Sequence, residues 1–157
     1  MLSATVRRPL AAIWFGLFGF LAAGIFFLRP DVKLPALCLY VVFPGIAGAI
    51  AGAIWGGTIL DPVRTPASSV AILRGVGVAA GAFLVFAVLF ALGLPLLEKG
   101  WRWSQAAGLV IATLTLGLLM VGPLIAISGM VAGLTLFLLG RRASTAPGDQ
   151  APDGPAI

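Results

Sequence analysis

The side chains that usually carry enzyme chemistry are scarce in this sequence of 157 residues. There is no histidine, one cysteine (Cys38) and five acidic residues: Asp31, Asp61, Glu98, Asp149 and Asp153. Without histidine there is no imidazole base, no His-ligated haem and no ordinary zinc site. A lone thiol forms neither an internal disulfide nor a CxxC centre. No GxSxG, HExxH or Walker pattern and no paired carboxylates are found. The expectation is a protein that is not an enzyme, with no catalytic residue, no metal site and no bound cofactor.

The remaining polar groups have plain roles. Tyr40, Thr58, Thr113, Thr115, Ser128 and Thr135 stand inside apolar runs, where hydroxyls usually bond back to the preceding turn of their own helix. Asp61 and Thr65 read as helix caps. Arg74 and Arg102 are the candidate contacts for an anionic lipid headgroup, Arg74 by snorkelling from a helix to the membrane surface. Trp55, Trp101 and Trp103 join Arg102 as the residues best suited to touch a lipid or quinone.

Composition says what medium must surround these groups. The chain is 61% hydrophobic and 10% charged, whereas soluble domains carry about 25% charged residues. A surface that poor in charge needs lipid rather than water around it. The net charge of +5 comes from ten basic residues spread over short polar segments, never more than a pair together. That distribution suits anchoring at a bilayer surface and gives no footprint for nucleic acid.

Polar punctuation divides the chain into four apolar runs, each long enough for the roughly 20 residues that a helix needs to cross a bilayer. The strict alternation of membrane β-strands is absent. The predicted fold is therefore an all-α integral membrane protein with four transmembrane helices at about 10–28, 35–60, 67–97 and 105–140. Pro35 and Pro66 suit first turns, and Gly100 suits a C-terminal stop. Pro44 is expected to bend the second helix. The fourth run contains Gly122-Pro123 and reads as one kinked helix rather than two short crossings, because a turn there would have no polar residue to meet the headgroups. Arg7-Arg8 before an apolar run imitates a signal peptide, but the run is long and lacks a clear cleavage site, so an uncleaved helix is expected. Residues 143–157, rich in Pro, Gly and Ala, read as a disordered tail.

Basic residues orient the helices. Arg7, Arg8, Arg64, Arg74, Arg141 and Arg142 fall on one side, and Arg29, Lys33, Lys99 and Arg102 on the other. The positive-inside rule then places both termini in the cytoplasm, with a bacterial inner membrane as the expected location.

The strongest pattern is one of small residues. In the second helix Gly45, Gly48, Ala49, Gly52, Ala53 and Gly56 recur at intervals of three and four and share one face. Glycine lets helix backbones approach closely where lipid removes the hydrophobic drive. The first helix echoes this with Ala12, Gly16, Gly19 and Ala23. The fourth does so with Gly108, Ala112 and Thr115, then Gly122, Ala126, Gly129 and Gly133. In the third, Gly77, Gly81 and Ala91 lie opposite Phe83, Phe86 and Phe90, which are expected to face lipid or a bulky partner. These faces serve either packing inside the chain or contact with another subunit.

In size and helix count the chain resembles small multidrug-resistance exporters. It departs from them in having no glutamate between Leu10 and Leu28, where their hallmark residue stands. It also resembles the four-helix eicosanoid and glutathione membrane enzymes in length, yet contains no asparagine and none of their charged bundle residues. No residue is carried over from either. The leading expectation is a non-catalytic structural or assembly subunit of a larger membrane complex, with membrane lipids and other membrane proteins, or itself, as partners. A small oligomeric channel or transporter component is the alternative, and a lipid- or quinone-binding protein the third reading.

Overall fold

The computed structural model describes residues 3–27, 38–97 and 103–144, and every regular element among them is helical. Helix α1 spans Ala4–Phe27. A wide π turn, Cys38–Val42, leads into α2 at Phe43–Trp55, which tightens into a 3-10 turn at Gly56–Thr58. Helix α3 spans Ser68–Leu97 and α4 spans Ala106–Ser144. Four stretches are long and apolar enough to cross a membrane: Thr5–Ile25, Leu39–Thr58, Ser68–Leu94 and Ala106–Arg142.

Local chemistry explains the boundaries. Helix α1 starts well before Leu10, because the Ser3 carbonyl accepts the N–H groups of Val6 and Arg7 and carries both arginines into the first turns. Pro44 sits in the first turn of α2 rather than in mid-helix. Its ring would strike the carbonyl four residues back in a regular helix, and the π turn before it provides the wider spacing. Helix α4 runs through Pro123 without interruption, about 58 Å of helix for 39 residues.

The helices form two hairpins, α1 with α2 and α3 with α4, which lean on each other chiefly through α2 and α3. The shared core holds Phe15, Ile59, Leu60, Val78, Leu136 and Phe137. Helices α1 and α4 approach less closely. Trp14 joins them, its indole N–H donating to the Ala132 carbonyl (3.2 Å) and to Thr135 Oγ1 (3.3 Å). The start of α1, the end of α2, the start of α3 and the end of α4 meet at one end of the bundle, called here the arginine end. Large apolar side chains face outward along all four helices, among them Ile13, Ile54, Leu73 and Leu119.

Candidate functional site

Two features organise the polar and hollow parts of the molecule: a hydrogen-bonded cluster at the arginine end and an apolar cavity between the hairpins. The cluster is built on the short loop from α2 to α3. The Thr58 carbonyl, at the end of α2, accepts the Thr65 hydroxyl at 2.7 Å and Arg74 Nη1 at 3.1 Å. Arg74 Nη1 also donates to Thr65 Oγ1 at 2.9 Å. Thr65 is 1% exposed. A helix C-terminus carries unpaired carbonyls and partial negative charge, so a guanidinium and a hydroxyl are favourable there. Thr65 therefore closes the end of α2 rather than capping α3, which begins three residues later at Ser68.

Asp61 ties the same loop to α1. Its Oδ2 lies 2.9 Å from Arg7 Nη1, and its Oδ1 accepts the Val63 N–H at 3.1 Å. Arg64 stands 4.0 Å away. Partial burial pushes the Asp61 carboxyl up, but the Val63 N–H and the Arg7 charge outweigh it, and the group titrates below its ordinary value. Because the folded carboxyl is the stronger acid, its stabilisation is fully present above the unfolded value of 3.8 and is lost as pH falls through the lowered folded value. Melting in detergent should accordingly decline on acidification of the wild type in that window. Asp61→Asn should flatten this decline while lowering the melting temperature slightly near neutrality, and an acid decline unchanged in the variant would remove Asp61 as its source. Arg141, on α4, donates to the Pro66 carbonyl at 3.4 Å and stacks over Phe137, 4.9 Å from the ring centre. All four helices are thus joined at this end.

The small residues of α1 and α2, and those in the second half of α4, lie where helices come closest. A Cβ built on Gly52 would stand 2.5 Å from the Ala11 carbonyl oxygen, and one on Gly48 would meet the Phe15 carbonyl oxygen. Gly45 and Gly56 also face α1, toward Phe20 and Ala11, and Ala49 touches the site of a Cβ on Gly16. Ala53 is half-buried. In α4, Gly129 and Gly133 press on α3, with Gly75 opposite both. Gly122 lies clear of any neighbouring helix, with Leu118 of its own helix at 3.8 Å from a built Cβ, and Ala126 is half-buried. Arg102 lies outside the described residues.

Two readings of the third helix change. The small residues it presses on the α4 backbone are Ala71 and Gly75, a spacing of four, with Ala79 next in phase; of the expected three, Gly81 packs on Trp55 and Ala91 is buried, but Gly77 meets nothing within 4 Å. Phe83, Phe86 and Phe90 turn inward rather than out. They line the cavity between the hairpins, with Phe86 5.7 Å from Phe90, and Phe90 5.7 Å from Tyr40. The register of α3 against its neighbours, fixed by the Gly75 seam, turns them inward.

That cavity has a volume of about 260 Å³. Phe15 and Phe18 wall it from α1, Tyr40 and Gly48 from the second segment, the three phenylalanines from α3, and residues of one face from Thr113 to Ala132 from α4. Its polar groups are Tyr40, Thr113 and Ser128, and the Ser128 hydroxyl already donates to the Ile125 carbonyl. For scale, an enclosed apolar cavity of about 150 Å³ holds a benzene-sized molecule. This larger one can hold a ring or a short length of chain. No His, Cys, Asp and Glu group of metal-binding size occurs among the described residues. Comparison with protein families, with curated proteins and with solved structures finds no match to this chain.

Proposed function

We propose that the protein is a non-catalytic integral membrane protein that serves as an assembly subunit, docking α4 on a transmembrane helix of another membrane protein. The outer surface of α4 carries this reading. Gly108, Ala112 and Thr115 share one face there, all three exposed, and a Cβ on Gly108 would meet nothing within 4 Å. Leu119 continues the face at 79% exposure, with Ile111 and Leu116 beside it. The small residues Gly48, Gly52, Gly129 and Gly133 are occupied within the chain. This stripe is not, and small residues on an apolar helix are what a second helix packs against in lipid. The short loop at the arginine end leaves little soluble surface for recognition. Six basic residues at the arginine end, against four in the sequence segments that join α1 to α2 and α3 to α4, support an orientation with both termini in the cytoplasm, as in a bacterial inner membrane.

Purification in a mild detergent, with mass spectrometry of co-eluting proteins, tests this. A defined partner in fixed ratio is the expected result, and Gly108→Leu should release it while leaving the melting temperature near that of wild type. Elution as a monomer would sink the proposal. Elution as a homo-oligomer would move the channel reading to first place, although the apolar cavity gives that reading no hydrophilic path. The cavity itself favours a second role, the holding of one apolar membrane molecule against Tyr40 and the phenylalanines.

A further inference from the structure

We infer that Arg74 and the recess beside it bind the phosphate of an anionic phospholipid. Arg74 lies six residues into α3, about 9 Å of helix from Ser68, at the arginine end of an apolar bundle. Both of its hydrogen bonds leave from Nη1. The Nε–Nη2 edge, which matches two oxygens of a phosphate, has no partner among the described residues. No carboxylate among them neutralises this half-buried charge either, since Asp61 pairs with Arg7 and Arg64. A guanidinium removed from bulk water without a counter-ion favours any anion that can reach it.

Room for that anion is present. A recess of about 350 Å³ opens beside Arg74, between Trp55 and Thr58 on one side and Gly77 and Gly81 on the other. Gly77 leaves its floor bare, and the Trp55 ring rests against Gly81. The remaining walls, Ile54 and Val78, are apolar, and Ile54 is 58% exposed on the outer surface. A phosphate at Arg74 would thus continue into an apolar channel facing outward, the shape of a headgroup with an acyl chain below it. Free phosphate has no use for that channel, so the lipid is the committed occupant. This site is separate from the outer stripe of α4 and stands whether or not a partner protein binds there.

The test is native mass spectrometry of the whole protein offered equal phosphatidylglycerol and phosphatidylcholine. Wild type should retain the anionic lipid about tenfold more, the order expected for hydrogen bonds to a charged group. Gly77→Leu fills the recess without touching the Arg74 bonds to Thr58 and Thr65. It should bring the ratio close to one with an unchanged melting temperature in lipid-free detergent. Arg74→Lys should lower the ratio in part. Equal retention of both lipids by wild type, or an undiminished preference in Gly77→Leu, would overturn the assignment. So would inorganic phosphate alone raising the melting temperature as far as phosphatidylglycerol does.

Discussion

Replacing Gly75 with leucine should keep the α3–α4 hairpin from closing, and Gly52→Leu should do the same to α1–α2. A Cβ on Gly75 would fall on the Gly129 carbonyl oxygen and 2.8 Å from the Gly133 Cα. On Gly52 it would meet the Ala11 carbonyl oxygen at 2.5 Å and Phe15 Cβ at 3.0 Å. These obstacles are backbone atoms and a Cβ fixed to the backbone, which cannot rotate away as the end of a side chain can. Overpacking against movable side chains costs about 1–3 kcal/mol, so a clash with two backbones belongs at the top of that range or beyond it. Membrane abundance should collapse for both variants, and whatever protein survives should melt well below wild type. Gly77→Leu is the matched control in the same helix, because its Cβ enters open space. If Gly75→Leu melts with wild type, or Gly77→Leu falls as far, the close approach at this seam is not what holds the hairpin.

The second large effect belongs to Thr65. Changing it to valine keeps the volume and removes the hydroxyl that gives to the Thr58 carbonyl and receives from Arg74. Arg74 would keep its bond to Thr58, but one donor of a half-buried guanidinium and one buried carbonyl lone pair would lose their partner. Leaving such groups unsatisfied costs about 1–3 kcal/mol. Thr65→Val should therefore lower stability in a detergent unfolding titration by that amount, and Thr65→Ser should recover most of it. A loss in serine with none in valine would point to packing by the threonine methyl instead.

The sequence made some of this architecture legible and concealed the rest for physical reasons. Four apolar runs separated by charge are a strong signal, because a backbone in lipid must satisfy its own hydrogen bonds and helices do so. The face of α2 was readable because four glycines repeat in helical phase within one short segment. Gly75 was not, because it is a single glycine between Ala71 and Ala79, and the competing pair Gly77 and Gly81 has the same spacing in a different phase. Along a helix that is apolar all round, no polar stripe marks the outside, so Phe83, Phe86 and Phe90 could not be placed before the neighbours of α3 were known. Thr65-Pro66 looks locally like a helix start, and its true partner Arg74 lies nine residues away across a turn. The cavity had no signal at all, since it exists only where the two hairpins fail to fill the space between them.

The pairing of neighbouring helices also bears on how the protein is made. Each glycine seam joins helices that are consecutive in the chain, α1 to α2 and α3 to α4. Loop closure between such near neighbours costs little entropy, and contacts local in sequence form fast. The first hairpin has everything it needs once Thr58 has left the ribosome, at a synthesis rate of about 5–20 residues per second. It can zip before α3 exists, and the second hairpin can then do the same. Folding would thus proceed as two preformed pairs that then dock, and the Trp14 bond from α1 to α4 must wait until α4 has been made.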